Sequence, residues 1–207
     1  MYNNNNKGLV LVISSPSGAG KTTICKKLIE EVDGIDLSVS VTTRKKRKEE
    51  IEGKHYFFKN EYEFNKLIKQ NEFLEYANVF GYLYGTLKKE VVSKINNGID
   101  VIVDIDWQGT RQIEQHLPQD IVKVFILPPS MEELECRLGK RASENKENFI
   151  KRMSEAKKEI SHYNEYDFVI VNTKINVAVE QIKSILFSER LRRHRQISLK
   201  KILEKLL

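Results

Sequence analysis

The sequence predicts an α/β fold, a parallel sheet wrapped on both faces by helices and interrupted by two inserted segments. Three observations carry that expectation. Apolar, β-branched runs alternate with helix-like stretches from Leu9 to Asn172. The first run, Leu9-Val10-Leu11-Val12-Ile13, leads into a loop of small residues, Ser15-Pro16-Ser17-Gly18-Ala19-Gly20-Lys21-Thr22, and then into a helical pattern. A later run, Val101-Ile102-Val103-Asp104-Ile105-Asp106, ends in carboxylates, as a central parallel strand does when it delivers acids to its C-terminal edge.

A length of 207 residues suits one α/β domain with insertions. Hydrophobic residues make up 40% and charged residues 31%, a soluble composition, and no run approaches the roughly 18 apolar residues of a membrane span. Met1 to Lys7 is polar, without an apolar signal region, and reads as a short disordered lead-in. Cys25 and Cys136 give neither a disulfide framework nor a metal spacing and read as small buried residues, so a cytoplasmic protein is expected. A net charge of +6 suits nucleic acid or a phosphate-rich small substrate until the arginines are placed.

The small-residue loop follows the phosphate-binding pattern G-x-x-x-x-G-K-[ST], with Ser15 in place of the first Gly. Backbone N–H groups of such a loop point at an anion, and the helix start behind it adds its positive end. Lys21 then reaches the β- and γ-phosphates, and the Thr22 hydroxyl holds Mg²⁺. The helix extends to about Val32. Leu37 to Thr43 alternates apolar with polar residues and reads as one half-exposed strand. Arg44 and Arg47 leave it in a basic run; beside a phosphate loop they favour an anion clamp over a solvated loop.

His55 to Phe58 reads as a short aromatic strand, 61–71 as a helix and Phe73 to Val79 as a strand. A Gly/Tyr turn over 81–86 brings Tyr84 and Thr86 near Glu75. Lys88 to Asn97 is helical until Gly98 stops it, and a further helix is expected from Gly109 to Gln115. Val122 to Leu127 is a buried strand ended by Pro128-Pro129. Ser130 caps a helix carrying Arg137 and Arg141 one turn apart. After a polar turn at 145–148, a long helix carries Arg152. Few large apolar residues lie in 131–161, so little burial and some mobility are expected there. Tyr166 to Asn172 is the last strand, and 176–190 the closing helix. Arg190 to Arg195 with 197–207 reads as a basic amphipathic tail, a solvated face or subunit contact in preference to a nucleic-acid site.

Both interrupting segments carry arginines. One anion in the loop, a second in a facing pocket and cations between them are what phosphoryl transfer between two anions requires, without a protein nucleophile. A lid keeps the phosphoryl group from water.

On these residues the chain resembles the guanylate kinase family over nearly its whole length. The resemblance is carried by Pro16 to Thr22, Ser38-Val39-Ser40-Val41-Thr42-Thr43-Arg44, Gly53 to Phe58, Glu72 to Glu75, Tyr84-Gly85-Thr86, Asp104 to Gly109 and Val169 to Asn172. It implies one domain over 1–207: a P-loop core at 7–38, 90–130 and 162–207, a GMP-binding region with a small mixed sheet at 39–89, and a helical lid at 131–161. It implies ATP and GMP as substrates, ADP and GDP as products and Mg²⁺ as cofactor. dGMP is an alternative acceptor, a homo-oligomer is left open, and neither nucleic acid nor membrane is a partner.

By the same resemblance the ATP site comprises Ser15, Pro16, Ser17, Gly18, Ala19, Gly20, Lys21, Thr22 and Thr23 with Arg137, Arg141 and Asn172. The GMP site comprises Ser40, Arg44, Arg47, Tyr56, Glu75, Tyr84, Thr86, Asp104 and Asp106. Thr22 and Asp104 hold Mg²⁺, partly through water, and Lys21, Arg44, Arg137 and Arg152 are the catalytic set. The chemistry agrees, since guanine presents N1–H and a 2-amino donor side by side, both of which one carboxylate such as Glu75 can accept. Lys46, Glu49 and Ala142 depart from the family's usual Pro, Gly and Gly, whereas Thr86 keeps the hydroxyl of the common Ser. A protein-binding module of the same fold would tend to lose Lys21 and the lid arginines. A kinase for a sugar phosphate would have no use for a purine-edge acceptor.

Overall fold

Continuous apolar runs cannot turn one face to water, and in the computed structural model they form the middle of a parallel sheet. The structure describes residues 6–79, 81–141 and 146–207, without the side chains of 140, 141, 146–148 and 151. The expectations for residues 1–5, the Arg141 side chain, Ala142 and Asn145 lie outside the described residues. The chain runs β1 (Val10–Ser14), α1 (Lys21–Glu31), β2 (Ile35–Leu37), β3 (Ser40–Thr42), β4 (Phe57–Phe58), α2 (Glu61–Lys69), β5 (Phe73–Val79), β6 (Tyr82–Leu87) and α3 (Lys88–Asn96). It continues with β7 (Asp100–Asp104), α4 (Trp107–His116), β8 (Ile121–Leu127), α5 (Met131–Arg141), α6 (Lys146–Ile160), β9 (Phe168–Val171), α7 (Ile175–Arg190) and α8 (Leu199–Leu206).

The main sheet has the order β2-β7-β1-β8-β9, all pairs parallel. Successive β1 side chains go to opposite faces. Leu11 and Ile13 join α1 and α7 through Ile24, Leu28, Ile182 and Leu186, while Val10 and Val12 join α3 and α4 through Val91, Ile95 and Ile113. All of these are buried, and each large one contributes about 1.5–3 kcal/mol. The second sheet, β4-β3-β6-β5, is mixed, and its core stacks Phe64 on Phe73 at 4.6 Å between ring centroids.

Several expectations are corrected. Leu37 to Thr43 is not one strand: Ile35–Leu37 pairs with β7, and Ser40–Thr42 pairs with β4 and β6 in the other sheet. Both pieces keep a period of two, so their alternation conceals the crossing between sheets. The stretch 81–86 is mostly strand, because Gly81 (φ 83°) turns the chain and donates its N–H to Asn78 Oδ1 at 3.0 Å. The helix after β7 starts at Trp107, since Asp106 caps it, and residues 146–148 already belong to α6.

The segment 131–161 buries Leu134, Leu138 and Ala156 against Met131, Phe149 and Met153, a small core of its own. Cys25 is buried as expected, but Cys136 is exposed. In the basic tail Arg190 and Arg195 are buried, with Arg190 Nε 2.6 Å from Asp100 Oδ2 and Arg195 donating to the carbonyls of Gly8 and Gln119. They bind the chain's end to the N-terminal edge of the sheet, where carboxylates and carbonyls replace the lost water. Among the described residues no helix is long and apolar enough to cross a membrane.

Candidate active site

At the opposite edge of the sheet, β1 ends in the phosphate loop. Ser14 Oγ donates to Ile105 O at 2.7 Å and ties the ends of β1 and β7 together. Gly18 and Gly20 have φ of 90° and 100°, the left-handed region that glycine enters freely. A Cβ on Gly20 would stand 2.6 Å from Asn172 Nδ2, which donates to Ala19 O at 2.7 Å. Ser15 is buried, donates its hydroxyl to Pro16 O, and lies outside the left-handed region, so its Cβ is accommodated. No side chain caps α1. Its first N–H groups therefore face a cavity of about 240 Å³ lined by loop residues, Lys21, Thr22 and Glu159. Thr23 is exposed beside Thr22.

Lys21 Nζ stands 2.5 Å from Asp104 Oδ1. Burial opposes the lysine's charge, but the Asp104 carboxylate, with Glu159 and Cys25 adding to it, holds the pKa above the ordinary value. Asp106 accepts the Gly109 N–H at 2.9 Å. The carboxylate that ends β7 and the one two residues beyond it thus divide, Asp104 facing the lysine and Asp106 capping α4.

Across Lys21 opens a cleft of about 490 Å³, lined by Ser40, Tyr56, Glu75, Tyr84, Asp104 and Asp106, together with Glu159. Glu75 is only 5% exposed and accepts the Thr86 hydroxyl at 2.6 Å. Gly109 leaves it room, since a Cβ there would stand 3.1 Å from Oε2. Burial pushes the Glu75 carboxyl up to about 7. Arg44 is held in a fork by Glu50, Nη2 to Oε1 at 2.6 Å and Nη1 to Oε2 at 3.1 Å, and lies over the Tyr56 and Phe58 rings. The hydrogen bonds from Arg44 and the Arg47 backbone hold the Glu50 carboxyl down at about 2. The Arg47 side chain is exposed and lines a neighbouring groove with Lys48, Glu49 and His55, apart from the cleft.

From α5, Arg137 Nε pairs with Glu133 at 2.8 Å, and its Nη2 lies 3.4 Å from Asn172 O. Arg152 is half-buried on α6. Asn172 turns its amide toward the loop, and its Oδ1 has no partner among the described residues. Sequence reasoning missed Glu50 and Glu159. Glu50 reads as a counter-charge within a basic run. Glu159 was detectable only by counting seven residues on from Arg152, two helical turns along one face. It lines both cavities, and burial, against the pull of Lys21, pushes its carboxyl up to about 7.

The fold and the two clefts define a class: a phosphate-loop α/β protein with a second, larger cleft facing the loop across one lysine. Residues 7–189 match the family model described as guanylate kinase. The chain is 49% identical over 195 residues to a guanylate kinase of Hyphomonas neptunium, covering 94% of this chain and 90% of that one. It is 49% identical over 189 residues to a guanylate kinase of Rickettsia bellii, covering 91% and 98%. The crystal structure of guanylate kinase from Anaplasma phagocytophilum superposes with a TM-score of 0.78 at 40% identity, covering 97% of this chain and 95% of that one. The chain belongs to the guanylate kinase family.

Proposed function

We propose that the chain is an ATP:GMP phosphotransferase in which the phosphate loop takes ATP and the small-sheet cleft takes GMP. The observation that carries the division is the buried Glu75, held by Thr86 and facing a cleft that shares Lys21 with the loop. As a carboxylate, Glu75 accepts guanine N1–H and the 2-amino group, and adenine, lacking those donors, leaves it unpaired. With the base on Glu75, the GMP phosphate is assigned to Tyr56 and Tyr84 of the same cleft and to Arg44, which lies over the Tyr56 ring, and the exposed Arg47 is the neighbour that would turn in.

The loop N–H groups and Lys21 bind the β- and γ-phosphates. Lys21 exchanges Asp104 for phosphate oxygens, and with Arg137 and Arg152 it spreads the charge of the migrating group. Thr22 and Asp104 offer oxygen donors of the kind Mg²⁺ accepts while keeping water and phosphate in its shell. When bound, that ion neutralises charge on the β- and γ-phosphates. Segment 131–161 serves as the lid that excludes water, 39–89 as the acceptor region, and the cytoplasm as the compartment. A coupled ADP-release assay across GMP, dGMP, AMP, CMP and UMP tests the reading. GMP and dGMP are expected to turn over, AMP far more slowly, and equal turnover of AMP and GMP would overturn the guanine assignment.

A further inference from the structure

The root of the lid helix is pinned by side chains that neither cleft uses. His162 follows α6 and stacks on Trp107, 3.8 Å between ring centroids and 11° from parallel. The Arg111 guanidinium lies 4.6 Å from the Trp107 ring centroid. Glu165 joins the two, accepting from Arg111 at 2.7 and 2.6 Å and lying 2.7 Å from His162 Nδ1. Trp107 is the first residue of α4, directly after Asp106. The last turn of α6 is thereby fixed against the end of β7, where Asp104 and Asp106 stand.

Glu159 lies on that last turn and lines both the loop cavity and the acceptor cleft. The charged groups acting on it are Lys21, Asp104, Asp106 and, one turn back on its own helix, Glu155. Lys21 is the cation of that set, and Asp104 already holds its ammonium at 2.5 Å. Glu159 and Lys21 line the loop cavity and the acceptor cleft together, so the carboxylate reaches the ammonium only through the space the two clefts share.

We infer that Glu159 is a positioning residue for phosphoryl transfer: from the pinned root of the lid it acts with Asp104 on Lys21, setting where the ammonium stands between the two clefts. The step it serves rests on the guanylate kinase reading, whereas its action on Lys21 does not. Arg152 stands two turns earlier on the same face of α6, so one helix both sets the loop lysine and carries the lid arginine. Lid placement and lysine placement are then a single adjustment, and neither cation can drift while the root is held.

Glu159→Gln keeps the shape and removes the charge. The turnover number with GMP should fall about tenfold or more, with the GMP KM changing less than about twofold, because Lys21 is misplaced and not lost. A second readout needs no nucleotide: pulse acetylation of amines followed by peptide mass mapping. Lys21 should label about threefold faster in Glu159→Gln, since an ammonium no longer faced by the Glu159 carboxylate in the two cavities they share stands more open to the reagent, while other lysines keep their rates. A turnover number within about twofold of the unaltered protein overturns the inference. So does a fall in turnover with unaltered Lys21 labelling, which marks a merely structural loss. If the unaltered protein itself fails to phosphorylate GMP, the reaction reading fails, and the labelling comparison still decides whether Glu159 acts on Lys21.

Discussion

The two clefts meet at Lys21 but are made of different material. The loop cleft is chiefly backbone: N–H groups at the start of an uncapped helix, shaped by Gly18 and Gly20 and backed by a fully buried strand. The second cleft is walled by side chains from β3, β5, β6, the excursion between β3 and β4, the end of β7 and Glu159, and the polar groups in and beside it are already engaged, Glu75 by Thr86 and Arg44 by Glu50. Backbone donors recognise phosphate whatever base follows it. Preset carboxylates and arginines recognise one arrangement of donors and acceptors. In the proposed reaction, selectivity therefore belongs to the second cleft and charge stabilisation to the first.

Breaking the first side of that comparison has the largest effect. Lys21→Ala is expected to lower turnover by on the order of 10³-fold or more, measured by ADP release at saturating substrates. Next comes Glu75→Gln, which should lower kcat/KM for GMP by on the order of 10² while the ATP KM stays within about twofold. Equal losses for both substrates would make Glu75 a structural residue.

A pH experiment sharpens the same residue. The Glu75 carboxyl lies near 7 in the free protein, above its ordinary value, so rising pH from about 4.5 through 7 removes stability that the protonated form provides. In the proposed reading GMP needs the carboxylate, so binding below pH 7 should release its proton, and affinity should rise as pH passes through 7. Calorimetry at pH 6 in buffers of different ionisation enthalpy should find less proton release in Glu75→Gln than in the unaltered protein. The GMP phosphate, ionising near pH 6, contributes to both. The smallest effect is at Glu50: Glu50→Gln loosens the Arg44 fork and should raise the GMP KM by about three- to tenfold with little change in the ATP KM. An unchanged KM would mean that Tyr56 and Phe58 hold Arg44 unaided.

The first cleft was legible from the sequence, and the second only in part. Strand, small-residue loop and Lys21-Thr22 are contiguous, so their local pattern prescribes their geometry, and the acidic end of β7 was equally plain. What local pattern could not reveal were pairings across distance. Glu50 reads as one charge among many until it is seen forked to Arg44, and the split of Leu37 to Thr43 between two sheets is decided by partners far along the chain. The same holds for Arg195, a solvated residue by its neighbours in sequence and a buried one beneath the carbonyls of Gly8 and Gln119. The roles of Asp104 and Asp106 were separable only in space, because capping α4 and facing Lys21 both suit an aspartate.

The central claim is that the clefts are separable, one anion to each. Titration of GMP into Lys21→Ala protein in a calorimeter tests it most directly. GMP affinity within about threefold of the unaltered protein is the predicted result, since Glu75, Arg44, Tyr56 and Tyr84 are untouched. Loss of GMP binding together with turnover would contradict the account, because the lysine would then belong to the acceptor cleft as much as to the loop.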